Sequence, residues 1–378
     1  MLRIAITGGP GAGKTEISSH LVQRLEERGY KVFWVPETAT ELILNGVFPC
    51  SDISLERFEE FVTKKQLAKE KLYDEVASGF PSDKTIIFYD RGLFDAMAYV
   101  PKSVFCDVLK RCTDLSYAQL LSRYDAVLHL VTAAKGAEKF YQWNDPSKDE
   151  VGNNAARSES PQEAREKDEK TMASWLEHPH LRVFDNSTDF KGKVDRVVKE
   201  VFALLGEPVP KESERKFLVY RPDDVELMNL GAHAVIDIVQ TYLVPIRYDT
   251  ERRVRQRGNS RLGYSYYYTE KRDVEDGVGI CRFEKEERIS EKQYLNYLLE
   301  ADTTLHQVVK KRVCFVHDNN FYELDLYPRD EMFALLELET NLPNDKVALP
   351  SCLTVAKEVS DDVAFRNRSI AKRLRLCD

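Results

Sequence analysis

The chain lacks any apolar run approaching the ~20 residues that a membrane-spanning helix needs. Its opening, MLRIAITGG, passes straight into a strand and a glycine turn, which leaves no stretch for a signal or transit peptide. A cytoplasmic protein with at most peripheral membrane association is the expectation. The seven cysteines (Cys50, Cys106, Cys112, Cys281, Cys314, Cys352 and Cys377) never fall in CxxC spacing. That argues for reduced thiols against both a disulfide framework and a cysteine zinc site. An excess of positive charge is missing as well: the net charge of −8 disfavours general nucleic-acid binding, so any anion site has to be local. Repeats and low-complexity tracts are not found.

What is present suffices for two cores, with 378 residues, 43% apolar and 31% charged. Through the first half, short apolar runs (LRIAIT, KVFWVP, TIIFYD, AVLHLV, LRVF) alternate with helical stretches. This pattern predicts an α/β domain with a parallel sheet and helices on both faces. A polar stretch from Phe140 to Lys170 interrupts it and reads as a lid or loop. The segment GEPVPK, Gly206–Lys211, then sets the predicted boundary between domains at 1–206 and 211–378. Beyond it, eight runs with period-two alternation predict an antiparallel sheet or barrel.

GGPGAGKT matches GxxxxGK[ST] directly after a strand and before a helix. Its residues Gly8, Gly9, Pro10, Gly11, Ala12, Gly13, Lys14 and Thr15 are therefore the expected cradle for the phosphates of ATP or GTP. Lys14 reaches the β- and γ-phosphates there, and Thr15 offers its hydroxyl to Mg²⁺. Asp90 and Arg91 end the run TIIFYD at the sheet edge where ligands of such folds bind. Asp90 is a candidate for metal binding or proton abstraction, and Arg91 for a phosphate. Glu37, after VFWVP, is either a general base for an acceptor hydroxyl or an acid favoured by a helix N-terminus. Arg157 and Arg165, in the polar insertion, are candidates for neutralising a phosphoryl group in flight.

In the second half, Glu212, Glu214 and Lys216 form ExExK, whose alternate residues share one strand face. Same-face pairs recur: Arg253 with Arg255, Thr269 with Lys271, Glu284 with Glu286, Lys310 with Arg312, Glu323 with Asp325, Glu337 with Glu339. Basic and acidic pairs on separate strands suit a phosphate chain held by cations on one side and by carboxylate-bound Mg²⁺ or Mn²⁺ on the other. The competing expectation is a barrel with its charged face outside and its apolar face within.

The P-loop, VPETATELI, YDRG, SPQEAREKDEK and HPHLRVFDNST together resemble the AAA-type P-loop domain shared by ribosylnicotinamide kinases and translocation-defect proteins. The charged strand pairs and DDVAFRNRSIAKRLR resemble the CYTH family of triphosphate tunnel metalloenzymes. That second resemblance implies metal binding by Glu212, Glu214, Glu337 and Glu339. It implies phosphate binding by Lys216, Arg253, Arg255, Lys271, Lys310 and Arg312. The combination resembles the translocation-defect proteins, described as GTP- and phosphoinositide-binding factors in membrane-protein trafficking. Two functions follow as expectations. One is a kinase or NTPase joined to a tunnel that binds or hydrolyses inorganic triphosphate or another phosphorylated small molecule. The other is an adaptor whose tunnel receives a phosphoinositide head group.

Overall fold

The structure, a computed structural model, describes residues 1–143, 159–207, 214–247, 250–275, 280–339, 347–373 and 376, with only the backbone described for 272–275, 280–284 and 339. Two compact units result: Met1–Leu115 with Arg123–Pro210, and Ser116–Ser122 with Lys211–Asp378.

Among the described residues the first unit contains β1 (Leu2–Gly8), β2 (Lys31–Val35), β3 (Thr85–Asp90), β4 (Ala126–Leu130) and β5 (Leu181–Phe184). They pair in parallel in the order β2-β3-β1-β4-β5. Its helices are α1 (Lys14–Glu26), α2 (Thr38–Leu44), α3 (Leu55–Ala77), α4 (Lys102–Cys112), α6 (Pro161–Ala173) and α7 (Phe190–Leu204); α5 (Tyr117–Leu121) is counted with the second unit. Ile17, Leu21 and Leu25 of α1, one turn apart, and Val194, Val197, Val198 and Val201 of α7 form apolar stripes. Both stripes pack with Ile4, Ile6, Leu128 and Leu130 of the central strands in one core. The predicted α/β layering is the one observed. Register sets Ile6 beside Asp90 and Gly8 beside Leu130, so the carboxyl ends of β1, β3 and β4 meet where the strand order reverses.

The second unit's described strands are β6 (Glu214–Tyr220), β7 (His233–Leu243), β8 (Thr250–Asn259), β9 (Gly263–Glu275), β10 (Ile280–Ile289), β11 (Val308–His317), β12 (Asn320–Leu326), β13 (Phe333–Glu339) and β14 (Val355–Glu358). The order is β10-β9-β8-β7-β11-β12-β13-β6-β14, with neighbouring strands antiparallel. Helices α8 (Asp224–Met228), α9 (Glu291–Tyr297) and α10 (Asn367–Arg373) are short. The strand β14 carries none of the apolar alternation of the other eight: VAKE is exposed throughout at the sheet edge. One face of the sheet buries Phe217, Val219, Val313, Phe315, Tyr322, Leu324, Leu336 and Leu338 in an apolar core. The other face carries the charged pairs.

Candidate functional site

The loop after β1 needs glycine where a side chain has no room. A Cβ on Gly8 would lie 2.2 Å from the Leu130 carbonyl oxygen, and Gly13 adopts φ 84° with the Phe190 ring 2.8 Å from its missing Cβ. Helix α1 starts at Gly13 without a side-chain cap, so its first N–H groups remain available to an anion. Gly9 N–H is committed elsewhere: it donates to Asp168 Oδ1 at 2.7 Å, as does Thr132 N–H at 3.2 Å. Asp168 is buried on α6, and His129 Nε2 lies 3.3 Å from the same oxygen. Burial pushes this carboxyl up, but His129 and the donated hydrogen bonds outweigh it and hold it below its usual range.

Lys14, Asp90, Glu37 and Arg91 come together beside this loop. Burial, aided by Arg91, lowers Lys14, while Asp90 and Glu37 oppose the shift. Asp90 is raised by burial and by Glu37 against the pull of Lys14 and Arg91. Its Oδ1 is buried and has no hydrogen-bond partner among the described residues. Asp90 is not a helix cap, since the 3₁₀ turn that follows starts after Gly92. The Glu37 carboxylate pairs with Arg91 Nε at 2.7 Å and accepts from Thr40 Oγ1 at 3.0 Å. Burial raises Glu37, yet Arg91 and Lys14 prevail and hold it below its usual range. Arg91 sits at φ 65°, the left-handed region that non-glycine residues rarely occupy. Its guanidinium lies between Glu37 and Asp95, the latter at 3.4 Å. Asp95 is fixed in turn by Thr7 Oγ1 at 2.7 Å and Trp175 Nε1 at 2.6 Å.

Thr15 is exposed at the first turn of α1. Arg165, a candidate for neutralising a phosphoryl group, donates to the Ala134 carbonyl at 2.9 Å. Arg157 lies outside the described residues. Asn186, within the DNST stretch, donates to the carbonyls of Thr132 and Lys135 at 2.8 and 2.7 Å and accepts from Lys193 at 2.9 Å. Those bonds give its amide a structural task. Asp95 and Asp168 are acids of this site that the motifs did not single out.

In the second unit, register places the charged residues on one face: Glu337 opposite Lys216 and Glu323, Arg312 opposite Asp325, Arg253 opposite Tyr242 and Thr269, Thr269 opposite Glu286, Lys271 opposite Glu284. That face is buried, with Lys310 3% and Arg312 6% exposed, which overturns the alternative of a charged exterior. Lys216 Nζ meets Glu337 at 2.8 Å and Glu214 at 3.2 Å. Arg312 donates to Asp325 at 2.6 and 2.7 Å, to Glu337 at 2.8 Å, and to Glu323. Lys310 pairs with Asp325, and Arg255 with Glu286. Burial raises Glu337, but Lys216, Lys310 and Arg312 override it and hold the carboxyl well below its range. Burial lowers Lys216, and Glu337 with Glu214 reverses that to a net rise. Lys310 stays lowered by burial and Arg312 despite Asp325. Among the described residues no three metal-capable side chains converge. Glu212 and the side chains of Glu284 and Glu339 lie outside the described residues.

Residues 3–193 match the family model described as an AAA domain. No curated protein matches the chain. Among solved structures, that of the inorganic triphosphatase NE1496 is similar at 25% identity over 43% of this chain and 96% of that one, with a TM-score of 0.30. A structure described as the hypothetical protein NE1496 gives 27% identity over 43% and 98%, TM-score 0.30. The PH1012 protein from Pyrococcus horikoshii OT3 is 17% identical over 35% and 82%, TM-score 0.25.

Proposed function

Because the chain belongs to the AAA-domain family, we propose that its first unit binds ATP or GTP and transfers the γ-phosphoryl group to an acceptor hydroxyl. The carrying observation is the buried Asp90 oxygen left without a partner beside Lys14. A buried carboxylate oxygen without a donor is costly unless a ligand completes it. With the Thr15 hydroxyl it offers the hard oxygen donors that suit Mg²⁺. When bound, that ion would neutralise charge on the nucleotide's phosphates. The chain's own residues do the rest. The backbone from Gly8 to Thr15 cradles the phosphates, and Lys14 draws charge from the β–γ bridge. Glu37, oriented by Arg91 and Thr40, accepts the proton as the acceptor oxygen bonds to phosphorus and the bond to the departing diphosphate breaks. A loose phosphoryl-transfer transition state demands positioning more than base strength, so a carboxylate held at low pKa is adequate.

The second unit, on this reading, holds a triphosphate or related phosphorylated ligand against the basic residues of its charged face, Lys216, Arg253, Arg255, Lys271, Lys310 and Arg312. Lys216, Arg255, Lys310 and Arg312 have carboxylate partners, so they act first as counter-ions. The Glu337 carboxylate is occupied by Lys216 and Arg312, and the described donors do not fit Mg²⁺ or Mn²⁺ as they stand, so no metal step is assigned to this face. No feature of it favours a phosphoinositide over a free phosphate chain.

The test is Asp90→Asn in a γ-phosphoryl transfer assay. Transfer is expected to fall by about 100-fold or more, while nucleotide affinity changes much less, because the lost interaction acts mainly in the transition state. Equal losses in both would remove Asp90 from the reaction.

A further inference from the structure

Two aromatic rings rest on the phosphate loop, and glycine makes room for both. The Tyr141 ring lies 2.8 Å from the Cβ that Gly11 lacks, and the Phe190 ring 2.8 Å from the Cβ that Gly13 lacks. Tyr141 is buried and its hydroxyl donates to the Glu159 carbonyl at 3.1 Å, so it completes the protein's own packing. Phe190 differs: it is 45% exposed although it touches the loop. Its place in the fold decides which part of a nucleotide can reach it. Strand order β2-β3-β1-β4-β5 gives the loop after β1 two sides. Asp90 ends β3, Arg91 comes next, and Glu37 follows β2, all on one side, which the γ-phosphate and the acceptor face on the reading above. The ribose and base of an elongated nucleotide then leave the loop towards the other side, over β4 and β5. Phe190 opens α7 there, a few residues after β5 ends at Phe184.

We infer that the open face of Phe190, seated on Gly13, is the platform on which the nucleobase stacks, and that the loop takes purine nucleotides with little preference between adenine and guanine. This rests on the nucleotide reading of the first unit. Stacking on an aromatic ring accepts any base, and the larger purine face gains more from it. Telling adenine from guanine takes a side-chain amide or carboxylate free to read the base edge. The two in the turn before Phe190 are engaged. Asn186 gives its amide N–H groups to the carbonyls of Thr132 and Lys135 and its oxygen to Lys193. The Asp185 carboxylate pairs with Arg196 at 2.8 Å and accepts from the Ser187 hydroxyl at 2.7 Å.

The experiment uses the full chain and ADP carrying a fluorophore on its ribose. Signal that Lys14→Ala abolishes reports the loop's site, and ATP, GTP, CTP, UTP and inorganic triphosphate compete for it. ATP and GTP are expected to bind within about threefold of each other, and CTP and UTP about tenfold more weakly, the lower range of what one stacked base contributes. Phe190→Ala should weaken ATP and GTP about tenfold and leave inorganic triphosphate, which has no base, unchanged, whereas Phe190→Trp should keep the affinity. Should Phe190→Ala not fold, Phe190→Leu keeps an apolar contact on Gly13 without a π face and carries the same expectation. ATP affinity unmoved by the substitution, an equal loss for inorganic triphosphate, or a preference beyond about tenfold between ATP and GTP overturns this assignment alone. Probe signal that survives Lys14→Ala, or no binding of any nucleotide, overturns the nucleotide reading and this assignment with it.

Discussion

Burial raises the Glu59 carboxyl from 4.5 to about 7, with Asp95 adding to the rise and Arg91 opposing it. Folding therefore retains a proton on this group that the unfolded chain releases near 4.5. Its contribution to stability is full below that pH and is lost as the pH climbs through about 7. A shift of this size corresponds to about 3 kcal/mol. Glu59→Gln cannot ionise, so its melting temperature, followed from pH 4 to 8, is expected to gain steadily on that of the unsubstituted chain; parallel curves would contradict the raised pKa. Such a residue leaves little trace in a sequence. Lys14 and Thr15 stand out because the motif, its strand and its helix all agree, and Asp90 stands out because it closes an apolar strand. Glu59 sits in LERFEEF beside Glu60, and nothing in that spelling distinguishes a buried acid from a solvated one. Asp168, within EKDEK, is hidden in the same way although it holds the Gly9 N–H.

At the scale of elements, strand pairing explains how a charged face becomes an interior. Antiparallel register puts Arg312 opposite Asp325, and the two meet through paired bonds of 2.6 and 2.7 Å, with Lys310 on the same carboxylate. Breaking such a buried pair from one side costs about 3–5 kcal/mol, because the remaining cations lose their compensation. Asp325→Asn should therefore lower the denaturation free energy of the second unit by about that amount in urea titrations. A loss below about 1 kcal/mol would show that solvent reaches these side chains. Period two made eight of these strands legible, and the repeated same-face pairs made the common face legible as well. What could not be read was how the charges distribute among partners. The family resemblance implies that Lys216 and Arg312 are phosphate ligands, whereas the fold gives each a carboxylate first. The strand β14 escaped notice because an exposed edge strand has no buried face to impose alternation.

For the whole molecule, composition set the bounds and local geometry carries the proposed function. A net charge of −8 coexists with a phosphate loop, because glycine conformations, one lysine and a helix N-terminus make an anion site without a basic surface. No helix among the described residues is long and apolar enough to cross a membrane. The claim on which the rest depends is that Lys14 and the loop around it hold a nucleotide triphosphate, and calorimetry of Mg²⁺-ATP and Mg²⁺-GTP binding tests it most directly. For the full chain against Lys14→Ala, the account predicts unchanged melting and a loss of affinity of about 10- to 100-fold, the worth of a charged hydrogen bond to phosphate. Equal affinity in the two proteins would contradict it.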